Sequence, residues 1–330
     1  MTGRYRPLDL DAVRLRPIGE RAHKVRLEDF GRTPSAGASF AEFIDALPHI
    51  LKGNDLREVV EGLARSVERG KPVVFGLGAH VIKCGLSSLI IDLIDRGVIS
   101  AVALNGGGAI HDFELAMFGA TSEDVEANLA GGQYGMIAET AQGFHAALAA
   151  PDGEGGLGWA LGRALTRAAA PYGHLSILQR GYDAGVPVTV HVAIGTDTVH
   201  MLPGVDAGRI GALSHRDFRL LAAVIAEMRG GGAYVNAGSA VVLPEVFLKC
   251  VALCRNLGHD IGGFTTLDLD MVRHYRPMTN VVARHTTLGA RGYAITGHHE
   301  LLLPLIAFAL VERLEADAAS APMDRSHAHV

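Results

Sequence analysis

Leu104-Asn105-Gly106-Gly107-Gly108-Ala109-Ile110-His111-Asp112-Phe113-Glu114 follows the apolar run Val98-Ile99-Ser100-Ala101-Val102-Ala103. An apolar run closed by glycines and continued at helical spacing reads as a buried strand turning into a helix. The turn itself allows three readings: a phosphate cradle, a catalytic His111-Asp112 pair, or a tight turn with polar caps.

Outward from this turn the same unit repeats. Lys71 to Gly76 is strand-like and precedes a helix over Val81 to Arg96. Helical stretches run from Asp112 to about Ala150. Further strands are expected at Pro187 to Ile194, Ala233 to Asn236, Gly263 to Leu267 and Gly292 to Thr296, with helices over Phe218 to Met228, Val246 to Leu257 and Leu301 to Leu314. Strands that are apolar throughout and alternate with helices predict an α/β fold, a Rossmann-like parallel sheet with helices on both faces. Residues 1–40 read as an N-terminal arm, 41–317 as one domain with a surface loop near 151–158, and 318–330 as a flexible tail. His327 and His329 in that tail are not expected to be ligands.

Composition narrows the function. A chain of 330 residues, 48% hydrophobic, can bury a large core, and a net charge of -5 gives no electrostatic case for nucleic acid. No apolar stretch reaches the ~20 residues that span a bilayer, and the first residues lack a signal peptide's apolar core. Only Cys84, Cys250 and Cys254 are present, which fits a reducing, cytoplasmic setting better than a disulfide framework. The expected partner is a small molecule.

Ligands of open parallel sheets sit outside the carboxyl ends of the strands. Those ends carry Gly76-Leu77-Gly78-Ala79-His80 with Lys83, then Asn105-Gly106-Gly107-Gly108 with His111 and Asp112. Next come Gly195-Thr196-Asp197 with His200, and Asn236-Ala237-Gly238-Ser239 with Glu245 and Lys249. Thr265, Thr266 and Asp268 follow on the fifth strand, and Thr296-Gly297-His298-His299-Glu300 on the sixth. Glycine turns that open helices suit an anion, because bare N–H groups and the helix dipole both face it. Neither G-x-G-x-x-G nor G-x-x-x-x-G-K-[ST] occurs at these turns. His111, Asp197, His200 and His298 could ligate a metal or serve as acid and base; no H-E-x-x-H or C-x-x-C accompanies them. Of the adjacent His298 and His299, at most one can face the site. Arg276 could bind a substrate anion or hold a subunit interface.

Laid out this way, the chain resembles the deoxyhypusine synthase family over roughly residues 25–315, most closely from Val74 to Glu123. Phe75 to Gly85 is similar to that family's first nucleotide-contacting turn, and Asn105-Gly106-Gly107-Gly108 to its turn under the cofactor. Ala193 to Asp197 resembles its third loop, Gly238-Ser239-Ala240-Val241-Val242 its glycine triplet, and Gly292 to Leu305 its last strand and helix. The resemblance implies NAD as cofactor, held by Gly78, Ala79, His80, Asn105, Gly106, Gly107, Asp197, Gly238, Ser239, Thr265 and Thr266. It also implies a homotetramer with sites at a dimer interface and transferase or oxidoreductase chemistry. Candidate catalytic groups are His111, Asp112, His200, Glu245, Lys249 and His298, and no resident metal is expected. The family's catalytic lysine position holds Leu243 here, with Lys249 six residues further on. Histidines stand where the family has carboxylates for its polyamine. The expectation is therefore an NAD-dependent enzyme with an altered substrate: a small amine, alcohol or carbonyl compound, uncharged or anionic. The alternatives are an aminobutyl transferase of the deoxyhypusine or homospermidine synthase type, a metal-assisted lyase or hydrolase, and a non-catalytic NAD-binding protein.

Overall fold

A computed structural model describes residues 3, 5–33, 35–149 and 155–320. The ten C-terminal residues, with His327 and His329, and residues 151–154 of the expected surface loop lie outside the described residues. Helices α1 (Phe40–Ala46) and α2 (Lys52–Glu68) precede β1 (Val73–Leu77). Helices α3 (Ala79–Lys83) and α4 (Ser87–Asp95) lead to β2 (Ala101–Asn105). Five helices follow: α5 (Gly106–Phe118), α6 (Val125–Leu129), α7 (Ala138–Ala149), α8 (Leu157–Arg167) and α9 (Ile177–Ala184). Then β3 (Val188–His191), α10 (Ala207–Ala226), β4 (Ala233–Ala237), α11 (Val242–Asn256) and β5 (Thr265–Asp270) alternate. A short turn of helix, α12 (Tyr275–Pro277), runs into a π-helical segment, and β6 (Arg291–Thr296) and α13 (His299–Ser320) complete the order.

All six strands are parallel, in the order β3-β2-β1-β4-β5-β6. The α/β reading of the sequence is correct, and the order reverses between β1 and β4. Alternate strand residues feed two cores. Val73, Phe75, Leu77, Val102 and Leu104 pack toward α2, α4, α5, α8 and α13. Val74, Ala101, Ala103 and Tyr234 pack toward α10 and α11, where Tyr234 stacks on Phe247 with ring centroids 3.8 Å apart. Period-two alternation on a sheet covered on both faces leaves every strand apolar on both sides. No helix among the described residues is long and apolar enough to cross a membrane.

Three boundaries differ from expectation. The helix expected over Val81 to Arg96 is two helices, because Gly85 takes φ +74 and its N–H returns to Ile82. A left-handed glycine ends a helix this way. The stretch from Asp112 likewise starts earlier: the three glycines are the first turn of α5, with the Asn105 side chain accepting from Gly108 N at 2.8 Å as its cap. Third, β5 runs three residues past Leu267, to Asp270, which moves its carboxyl end.

Candidate active site

The strand-order reversal brings the β1 and β4 turns together. Gly78 N–H donates to Ala237 O at 2.8 Å, and a Cβ on Gly78 would lie 2.0 Å from Gly238 O. Only glycine lets these backbones meet. Gly238 has φ +72 and faces the buried His299 ring, which packs edge-on against exposed His80 at 5.6 Å. His299 thus occupies the switch point, whereas His298 is exposed just before α13, 3.7 Å from Glu300. The expectation for His298 is corrected by one residue: its neighbour is the histidine that the fold turns inward.

A cavity of about 450 Å³ opens beside α3 and α5, bordered by Lys83, His111, Glu114, Thr121, Tyr134 and Asp197. Because α5 begins at Gly106, His111 and Glu114 are i and i+3 and share the cavity face. Asp112 is turned about 100° away. It is fully buried, and its carboxylate accepts from the Ser176 hydroxyl and from Ile177 N (2.8 Å) and Leu178 N (3.1 Å). Burial still pushes it up to about 6. Asp112 is therefore the anchor for the start of α9 and not a partner of His111, which corrects its catalytic assignment.

The partner of His111 comes from the loop after α5. His111 Nδ1 lies 2.7 Å from Thr121 Oγ1, and that hydroxyl donates to Glu114 Oε2. With its only proton committed to the carboxylate, Thr121 must accept, so the network assigns the proton of His111 to Nδ1. Nε2 is left with its lone pair. The other Glu114 oxygen accepts from Thr140 at 2.9 Å. Burial, followed by a smaller opposing pull from Glu114, sets the His111 pKa below its usual value. The neutral base is the resting form at pH 7. The loop carrying Thr121 is itself pinned, since Glu123 accepts from Gly135 N (2.7 Å) and Asn128 Nδ2 (2.9 Å).

The glycine turn already holds an anionic group. A Cβ on Gly106 would lie 1.9 Å from Asp197 Oδ2, and the Gly107 N–H lies near the same carboxyl and favours its charged form. The α5 N-terminus is filled by the chain's own carboxyl, so the phosphate-cradle reading of Gly106 and Gly107 is corrected there. Burial raises the Asp197 pKa, and its Oδ2 is buried without a hydrogen-bond partner.

The remaining candidates disperse. His200 Nδ1 accepts from Gly195 N (3.1 Å) and Asp197 N (3.3 Å), and the ring borders a small internal void, so it braces the β3–α10 loop. Ser239 Oγ accepts from Leu243 N at 3.2 Å as a cap for α11. Glu245 binds Arg276 (3.0 Å), Asn280 (2.9 Å) and Lys249, which together hold its carboxyl below the usual range. Lys249 is an exposed ion-pair partner one helical turn along α11, away from the cavity. Leu243 is fully buried beside Tyr234. Thr265 and Thr266 stand at the amino end of β5, five strand residues or about 16 Å from its carboxyl end. Thr266 donates to Val281 O. They do not join the site; Asp268 and Asp270 occupy the carboxyl half of that strand. Asp268 accepts from Asn236 at 2.7 Å, and burial pushes it up to about 6. Among the described residues, no three His, Cys, Asp or Glu side chains converge as metal ligands do.

The comparisons bear on the fold. Neither a family model nor a curated protein sequence matches this chain. Solved structures do match. A protein assigned to the LOR/SDH type from Methanococcus maripaludis S2 superposes with a TM-score of 0.50 at 15% identity, over 85% of this chain and 72% of its own. AgrE, solved with ornithine and NAD+, gives a TM-score of 0.50 at 13% identity over 79% of this chain, which spans 33% of AgrE. ArgZ, an arginine dihydrolase from cyanobacteria, gives 0.50 at 16% identity over 86% of this chain and 33% of its own. These likenesses establish a Rossmann-like α/β fold shared with such proteins. Of the cavity's side chains, Lys83, His111 and Asp197 were visible at strand ends, whereas Glu114, Thr121 and Thr140 were not, because they lie on later turns or separate segments.

Proposed function

We propose that this chain is an NAD-dependent enzyme on a deoxyhypusine synthase-like fold, working on a small amine, alcohol or carbonyl compound without the family's lysine. The observation that carries the reading is the His111–Thr121–Glu114 hydrogen-bond chain, which presents a free Nε2 beside a cavity at the carboxyl edge. NAD held in such a site would supply the hydride acceptor for the substrate. Asp197 borders the cavity and is the carboxyl placed to take a ribose hydroxyl, and the closely apposed Gly78 and Gly238 turns bring backbone to that edge beside His80 and His299. AgrE, of the same fold, holds NAD+ and ornithine. The α5 N-terminus is taken by Asp197, so Gly78 to His80 would be the residues that hold the cofactor diphosphate.

His111 Nε2 takes the proton from the substrate's O–H or N–H. The imidazolium that forms is stabilised through Thr121 by the Glu114 carboxylate, the arrangement of a base oriented by a third group. Lys83, exposed at the end of α3, supplies a cation for an anionic group of the substrate. Apposition of such sites across a dimer interface belongs to the same proposal.

The test is a panel of amines, alcohols and 2-hydroxy or 2-amino acids with NAD+, read as NADH fluorescence. Turnover of one class supports the reading, and silence across the panel opposes it. With the turned-over substrate, kcat/KM falls on the acid side as His111 protonates. Because burial depresses that pKa, the limb lies below pH 6.5. Thr121→Val removes the acceptor for Nδ1–H and destabilises the charged form, so the limb moves to lower pH while kcat drops roughly 10- to 100-fold. An unmoved limb in Thr121→Val contradicts the relay.

A further inference from the structure

A second, separate cavity of about 260 Å³ lies at the opposite, amino edge of the sheet, where β4, β5 and β6 begin. Arg65, Ser66 and Arg69 reach it from the last turns of α2, Thr265 from the start of β5 and Arg291 from the start of β6. Its floor is backbone. Gly232 and Gly263 there have φ +98 and +69, conformations that admit little but glycine, so no side chain fills the space in front of the guanidinium groups. On the α2 side, Gly62 presses so closely on Thr265 that a Cβ would lie 2.5 Å from Oγ1, which fixes the helix and its arginines over the strand ends.

The charges here are unbalanced. Arg65 is 4.0 Å from Glu61, whose carboxylate makes its shorter contact, 2.8 Å, with Arg313. Arg69 forms no ion pair with a carboxylate among the described residues, whereas Arg65 and Arg291 also border a neighbouring cavity that carries Asp45, Glu58, Glu61 and Glu312, with Arg291 beside the Tyr293 hydroxyl that donates to Glu58. No acidic side chain borders the amino-edge cavity itself. Unpaired Arg69, with Arg65 and Arg291 beside it, borders a glycine floor that an anion can occupy, and planar guanidinium forks favour phosphate oxygens over simple halides. The volume falls just below the roughly 300–1,000 Å³ of common small-molecule pockets, too little for a dinucleotide.

We propose that this amino-edge cavity is a binding site for a small phosphate-bearing metabolite, independent of the candidate active site. Binding is read with inorganic phosphate and with glycerol 3-phosphate as probes, by calorimetry and thermal shift, against sodium chloride at equal ionic strength. The expected result is saturable binding, at least tenfold weaker in an Arg69→Gln, Arg291→Gln double variant, with NAD+ binding unchanged. Both arginines are exposed, so the variants should fold. The single Arg69→Glu reversal, expected to abolish binding, gives the same reading should the double variant prove unstable. Tighter binding of the ester than of free phosphate identifies a metabolite as the ligand, and equal affinity identifies phosphate itself. Stabilisation no greater than that by chloride, or phosphate affinity unchanged in the variants, overturns the proposal.

Discussion

His111→Ala lowers kcat by roughly 10²- to 10⁴-fold, the range supplied by a positioned general base, while NAD+ affinity stays within about twofold. The two readouts separate chemistry from folding. His111 is only half-buried, and its single side-chain bond goes to Thr121, so its loss removes little packing. The proposed cofactor contacts are Gly78 to His80 and Asp197, not His111. A variant that loses kcat and NAD+ affinity together would place His111 in cofactor binding instead. A variant that keeps kcat would remove the relay from the chemistry altogether.

Leu243→Lys, which restores the lysine of the family the sequence resembles, destabilises the protein instead of restoring that chemistry. Leu243 has no exposed surface, packs in the core of Tyr234 and Phe247, and offers its carbonyl to the Tyr234 hydroxyl. A lysine there must carry an unpaired charge into apolar surroundings or give up its proton. The cost is roughly 4 kcal/mol, or a melting temperature lower by about 10 °C. Borohydride with any diamine should trap no adduct on this variant, nor on the parent chain through Lys249, whose ammonium is held by Glu245 on an exposed helix face. A folded Leu243→Lys protein that forms a trappable imine contradicts the placement of this residue.

The sheet was legible because each strand is a short apolar run closed by a glycine turn, and burial on both faces leaves a pattern that survives in sequence alone. Where reading stopped short, the cause was phase or distance. Thr265-Thr266 looked like a strand end because Leu267-Asp268-Leu269-Asp270 alternates with acidic residues. Those aspartates are nonetheless buried strand residues, one of them held by Asn236. His298 and His299 differ by one helical step, which decides between solvent and the switch point, and no local pattern fixes that step. His111-Asp112 invited a catalytic pair by adjacency, yet a helix sends adjacent side chains to different faces. Thr121 reaches His111 only because Gly119, at φ +70, ends α5 and folds the chain back. Asp197 meets Gly106 across ninety-one positions of sequence, which explains the glycine without any ligand and could not be read from either segment.

The same buried carboxyl offers the most direct test. Calorimetric titration of NAD+ into the chain and into Asp197→Ala, at pH 7.5, asks whether Asp197, which borders the cavity, serves the cofactor at this edge. The account predicts one saturable site in the parent chain and at least a tenfold loss of affinity in the variant. An absence of NAD+ binding at millimolar concentration, or equal affinity in a folded Asp197→Ala protein, would contradict it.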